Sequence, residues 1–205
     1  MLVGDELYIA TRRYLIDYGM RHLNGLGADH ICKVCIQNGG SCCRTCSHLI
    51  DGLGCQNRNT SCTSWLCGYL KLLFYKAGLI KDWDTFWDEV PGIEFRKDST
   101  PPLVKMTTHL EVPMMRELGE ALANDLKVKL SRDKNNLDFI VLARDLDNLI
   151  DEIEFADHSD IAVHLIKRLN YLIKDFHEFH QAIKNIELHK WGEKTTQVQK
   201  GGILI

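Results

Sequence analysis

No apolar run in the 205 residues approaches the roughly 18–20 needed to cross a bilayer, so a membrane-spanning helix is not expected. The first residues, MLVGDELYIATRRYLI, place Asp5 and Glu6 ahead of any basic side chain. A secretory signal needs a basic start followed by an unbroken apolar run, so none is expected and a cytoplasmic location is predicted. Excess positive charge is also missing. The formal net charge is -3, which gives no global attraction to nucleic acid or to an acidic membrane surface. No G-x-G-x-x-G, G-x-x-x-x-G-K-[ST] or G-x-S-x-G occurs, which leaves nucleotide binding and serine hydrolysis without support. Proline is scarce and marks boundaries at Pro91, Pro101-Pro102 and Pro113. Cysteine is absent from everything before residue 32 and everything after residue 67.

What is present is concentrated in that interval. All eight cysteines, Cys32, Cys35, Cys42, Cys43, Cys46, Cys55, Cys62 and Cys67, fall in 36 of the 205 positions. The spacing is C-x2-C-x6-C-C-x2-C-x8-C-x6-C-x4-C. Thiols serving as small core side chains would be scattered, so the crowding predicts a shared cause, a metal or a set of disulfides. In a cytoplasmic chain metal is the expectation, because stable disulfides are uncommon there. The two C-x2-C pairs, Cys32/Cys35 and Cys43/Cys46, are the strongest local signals. Eight thiolates suffice for two zinc ions held by four cysteines each, or alternatively for an iron–sulfur cluster. His30 and His48 are reserve ligands. Lys33, Arg44 and Arg58 outnumber the single acid of the stretch, Asp51, and would offset the negative charge of such sites. The segment is otherwise rich in turn formers, Gly39-Gly40 and Gly52-x-Gly54, and is expected to be irregular up to Cys55.

GSCCRTC followed by GLGCQNRNTSCTSWLC resembles a small zinc- or iron-chelating cysteine-cluster family, over about a fifth of the chain. The resemblance implies bound zinc or an iron–sulfur cluster on the eight cysteines and says little about activity.

Elsewhere helical periodicity dominates. A first helix is expected over 5–23, ended by Asn24-Gly25. A second, 61–77, should be capped by Thr60 or Ser61, carry Cys62 and Cys67, and stop at Gly78. Gly68 is expected where backbones approach closely. Trp83, Phe86 and Trp87 form an aromatic patch, read chiefly as core. Ile93–Phe95 reads as a short extended piece. A third helix begins at Pro113 with the stripe Met115, Leu118, Leu122 and Leu126. After the turn at 131–135 a fourth, 136–155, carries Phe139, Leu142, Leu146, Leu149 and Ile153 in steps of 3, 4, 3 and 4. Its Asp145, Asp147, Asp151, Glu152 and Glu154 read as a solvated acidic face. One long helix is predicted over 159–190, with a seam from Leu165 through Leu169, Leu172, Phe176, Phe179 and Ile183 to Ile186, ending at Trp191-Gly192. On it His177, Glu178 and His180 lack the HExxH spacing and read as boundary side chains, with a second metal site as the alternative.

These features predict an all-α fold in which a cysteine-rich metal-binding module packs on a helical bundle with a long C-terminal helix. The expected parts are 1–80 with the module, a connection over 81–110, an antiparallel bundle over 111–192 and a tail over 193–205. The expected function is metal-dependent organisation of a helical binding or adaptor protein, with a protein partner meeting a helical or aromatic surface. An iron–sulfur redox or enzyme component is the alternative. A zinc-module nucleic-acid binder using Lys33, Arg44, Arg58, Lys71 and Lys76 comes third, with too few charges for strong phosphate binding.

Overall fold

The computed structural model describes residues 7–38, 46–50, 53–94, 97–132, 137–186 and 188. Cys42, Cys43, Gly39-Gly40, Arg44, Asp51, Gly52, Phe95, most of the 131–135 turn, Trp191-Gly192 and the 193–205 tail lie outside these residues.

The described residues open with a strand. Residues Tyr8–Thr11 form β1, so the helix expected over 5–23 begins later, as α1 (Arg12–Gly25). β1 pairs antiparallel with β6 (Leu103–Met106), Tyr8 facing Met106 and Thr11 facing Leu103. The period-2 alternation turns Ala10, Val104 and Met106 into the core and leaves Ile9 and Leu103 exposed. The Thr11 hydroxyl then caps α1 by accepting from the Tyr14 N–H.

The cysteine stretch departs further from expectation. Its first part is regular: α2 spans Ala28–Gln37 and contains both Cys32 and Cys35. Ala28, Ile31 and Val34 supply a buried helical stripe, and α2 lies against α6 (Arg116–Arg132). A short hairpin follows, β2 (Leu49–Ile50) with β3 (Gly54–Cys55), and then α3 (Thr60–Ser64).

The helix expected over 61–77 is two helices, α3 and α4 (Gly68–Ala77). Its cap is Asn59, whose side chain accepts from the Cys62 N–H at 2.8 Å. Asp98 adds a second anchor by accepting from the Thr60 N–H at 3.0 Å. Trp65 has an extended backbone, and the carbonyl this frees on Ser64 accepts from the buried Trp83 indole N–H at 2.7 Å. The break is therefore held by a tertiary hydrogen bond that no local pattern encodes. Cys67 becomes the N-cap residue of α4, and Gly78 ends that helix at φ +74°.

The next helix, α5 (Ile80–Asp88), buries Trp83, Phe86 and Trp87, which settles those rings as core. β4 (Ile93–Glu94) and β5 (Lys97–Asp98) form a small hairpin. Glu89 ties α5 to the end of β6: its carboxylate accepts from the Thr107 N–H and hydroxyl and from the Thr108 N–H and hydroxyl. Burial works to raise this carboxyl, but those hydrogen bonds outweigh it and hold it below its ordinary value.

α6 begins at Arg116, three residues after the expected start at Pro113, so Met115 precedes it and is only half-buried; the rest of its stripe and that of α7 (Leu137–Glu154) follow expectation. Leu118, Leu122 and Leu126 are buried, as are Phe139, Leu142, Leu146, Leu149 and Ile153. Each is worth about 1.5–3 kcal/mol relative to exposure. α4 packs along α7, and the Tyr69 hydroxyl donates to the Phe139 carbonyl at 2.6 Å. A Cβ on Gly68 would lie 1.8 Å from the Ala143 carbonyl oxygen, so the close approach expected there is real.

The long C-terminal helix is also divided. α8 runs Ser159–Leu172, residues 173–175 turn, and helix resumes over 177–186. The Asp125 carboxylate on α6 accepts from the Phe179 N–H at 2.8 Å and the Glu178 N–H at 3.3 Å, so it caps the second piece from outside. The seam survives because Ile173 and Phe176, on either side of the turn, are both buried.

The architecture is thus predominantly helical with three two-stranded ribbons, among the described residues. The helical part of the predicted fold holds and the metal-binding module does not, as the cysteine geometry shows. Among the described residues no helix is long and apolar enough to cross a membrane.

Candidate binding cleft

The six described cysteines, Cys32, Cys35, Cys46, Cys55, Cys62 and Cys67, all line one open cleft of about 1530 Å³. Its walls come from α1, α2, the β2–β3 hairpin, α3 and α5, with the last turn of α7 at one end. Leu66, Leu70, Ile80, Trp83 and Trp87 give it an apolar floor.

The thiols fall into two neighbourhoods. Cys32 and Cys35 lie on one helix, and Cys67 caps the start of α4. Burial, and then the nearby Cys67 and Cys32, push the Cys35 thiol well above its ordinary value. Around Cys62, burial is again the main influence raising the thiol, opposed by the Asn59 hydrogen bond and Arg58 and reinforced by Cys55 and Cys46.

This arrangement overturns the expected metal chemistry. Among the described residues no group of three or more Cys, His, Asp or Glu side chains is placed to hold a metal ion. One feature explains the misfit. The Cys32/Cys35 pair, read as a chelating C-x2-C turn, is embedded in α2, where backbone N–H groups bond the preceding turn and are not turned toward sulfur. Neither zinc nor an iron–sulfur cluster is therefore assigned, and the resemblance to the chelating family fails with them. The descriptions drawn from it (a metal-binding adaptor, an iron–sulfur component, a zinc-module nucleic-acid binder) fail for the same reason. Cys42 and Cys43 lie outside the described residues. Among the described residues no disulfide joins two cysteines.

The histidines proposed as reserve ligands lie apart from any such group. His30 is half-buried on α2 and His48 is exposed. His180 places its Nε2 2.9 Å from the Ile173 carbonyl, His177 is exposed, and Glu178 accepts from the Asn124 amide at 2.9 Å.

The acidic face of α7 is only partly a solvated surface. Lys71 on α4 reaches Asp147 at 2.6 Å and Asp151 at 2.8 Å. Burial pulls the Lys71 ammonium down, but the hydrogen bonds and charges of these two carboxylates outweigh it and raise its pKa. The lysine is thereby committed to protein carboxylates rather than to phosphate. Beyond it, Asp84 and Asp88 of α5 and Glu154 of α7 line the same end of the cleft. Desolvation, and then Asp88, push the Asp84 carboxyl up, with Lys71 opposing and Glu154 and Asp151 adding to the rise. Sequence reasoning missed this acidic end. Two spacings carry its signal: Asp84 and Asp88 four apart beside Trp83 and Trp87, and Asp147, Asp151 and Glu154 in steps of four and three beside the α7 stripe.

The rim carries large apolar side chains. Leu53 is 73% exposed, Trp65 39% and Phe155 81%, and all three line the cleft. His22, also missed, sits outside it: it is 1% exposed, with its ring near Phe74 and Trp83. Burial lowers its pKa to about 4.

No protein-family model matches the chain, and neither a curated protein nor a solved structure matches it.

Proposed function

We propose that this protein works by binding, and that its cysteine-lined cleft receives a segment of a protein partner. The observation that carries this reading is the cleft: about 1530 Å³, open, apolar along its floor and rimmed by Leu53, Trp65 and Phe155. Drug-sized ligands occupy enclosed pockets of roughly 300–1000 Å³, so the size suits a peptide segment better than a metabolite. The thiols favour the same reading. A nucleophilic cysteine needs a lowered pKa, whereas Cys35 and Cys62 are raised. A helical or aromatic partner surface is the expectation from the sequence, and it is supported by Trp65 on the rim with Trp83 and Trp87 beneath.

The test is selection of a displayed random peptide library on the folded full-length chain, followed by hydrogen exchange with the selected peptides. Protection confined to 28–37, 53–67, 83–88 and 151–155, together with loss of binding in Trp65→Ala, is the expected result. Protection elsewhere, on α8 or the β1–β6 ribbon, would overturn it, as would failure to select any binder.

A further inference from the structure

Resting on the cleft reading, we propose that the segment it receives is basic, with a Lys or Arg side chain seated among Asp84, Asp88 and Glu154 and a neighbouring apolar side chain against Phe155. The argument is charge complementarity beside an exposed anchor. Several ionic groups around the cleft are already neutralised by partners: Arg13 pairs with Asp17 at 2.9 Å, Asp29 with Arg116, and Asp151 with Lys71. The acids left at the α5–α7 end are different. Among the described residues, no ion pair engages Asp84, Asp88 or Glu154. Lys71 is the cation nearest to them in effect, and it is shared between Asp147 and Asp151. These three carboxylates come from two helices and all line the cleft, as does Glu94 of β4, so their negative field is directed into it.

Phe155 directly follows Glu154 and is 81% exposed. A large ring held in water beside uncompensated carboxylates favours a side chain with both an apolar stem and a positive head, or two adjacent residues that divide those roles. The cations lining the cleft that form no ion pair among the described residues, Lys33 and Arg58, belong to α2 and to the segment before α3 rather than to the α5–α7 end. An acidic or neutral segment would leave the α5–α7 carboxylates desolvated without a partner, which is the costly outcome.

The experiment uses three synthetic nine-residue peptides on the full chain: one with a central Leu-Phe flanked by lysines, one with glutamates and one with glutamines replacing them. Binding is read by fluorescence anisotropy at 50 and 300 mM salt. The lysine peptide should bind at least ten-fold tighter than the glutamate peptide at 50 mM, and its advantage should shrink at 300 mM. The variant carrying Asp84→Asn, Asp88→Asn and Glu154→Gln should lose at least ten-fold for the lysine peptide and leave the glutamine peptide unchanged. These are exposed positions, and an unchanged thermal midpoint would confirm that the variant folds. Equal binding of all three peptides would overturn the basic partner while keeping the cleft. Binding of none would overturn both. A concentration-dependent dimer that the triple variant abolishes would overturn the peptide partner in favour of a second copy of the chain.

Discussion

The α4–α7 contact and the cysteine-lined cleft are built on opposite terms. Along α7, Leu142, Leu146, Leu149 and Ile153 are buried, and Gly68 brings the α4 backbone against Ala143. Across the cleft, apolar floor residues stop at half-buried thiols and at a rim of exposed Leu53, Trp65 and Phe155. One side has no space to give and the other has space left open. The difference teaches that a crowded sequence feature and a crowded structural site are separate matters. The cysteines cluster in sequence yet are spread over α2, β3, α3 and the start of α4, whereas the α4–α7 contact is dense in space and uses residues 70 apart.

The largest effect should come from closing the space that the helix contact depends on. Gly68→Ala places a Cβ against backbone and should cost more than about 3 kcal/mol by urea unfolding. Gly78→Ala is the control: nothing lies within 4 Å of its Cβ, so only the positive φ is penalised, at about 1 kcal/mol.

Acid should strike the core rather than the cleft. The His22 imidazole titrates at about 4 in the folded chain, against an ordinary 6.5. Below 6.5 the unfolded chain binds a proton that the folded chain refuses, so stability is full above that pH and falls on going down to about 4. The loss should be on the order of 3 kcal/mol. His22→Leu should remove that part of the dependence, measured as the difference in urea midpoint between pH 7 and pH 4; an unchanged difference would show that other groups set it.

Asp125→Ala should cost about 1–2 kcal/mol, since it strips the cap from the 177–186 helix. Hydrogen exchange should quicken first at Glu178 and Phe179; uniform quickening would mean the two helical pieces do not separate.

The smallest effects should belong to the cleft rim. Leu53→Ala and Phe155→Ala should each change stability by less than about 0.5 kcal/mol, because both side chains are already in water. A loss above 1.5 kcal/mol in either would show the rim to be part of the core and would weaken the binding reading.

Much of the helical frame was legible beforehand. Phe139 to Ile153 and Leu118 to Leu126 repeat at helical spacing, and the burial follows the repeat. The site was less legible. C-x2-C at Cys32 and Cys35 reads as a chelating turn, but the same four positions lie in α2, whose stripe of Ala28, Ile31 and Val34 is short and interleaved with the cysteines. The acidic end was misread because Asp84 and Asp88 on one helix and Glu154 on another become neighbours only when α5 and α7 are placed around α4.

By itself the sequence determined which residues must be hidden: periodic apolar side chains specify a helix and its buried face through local geometry and the cost of hydrating them. It also determined that Gly78 ends a helix, since a positive φ there suits glycine. Tertiary structure alone decided where helices break and what the polar groups do. The Trp83 indole takes the Ser64 carbonyl and splits the 60–77 segment, and Asp125 supplies a cap to a helix more than 50 positions away. Both depend on a hydrogen bond between groups distant in sequence, whose strength rests on burial and direction, and neither quantity is written in the order of the residues.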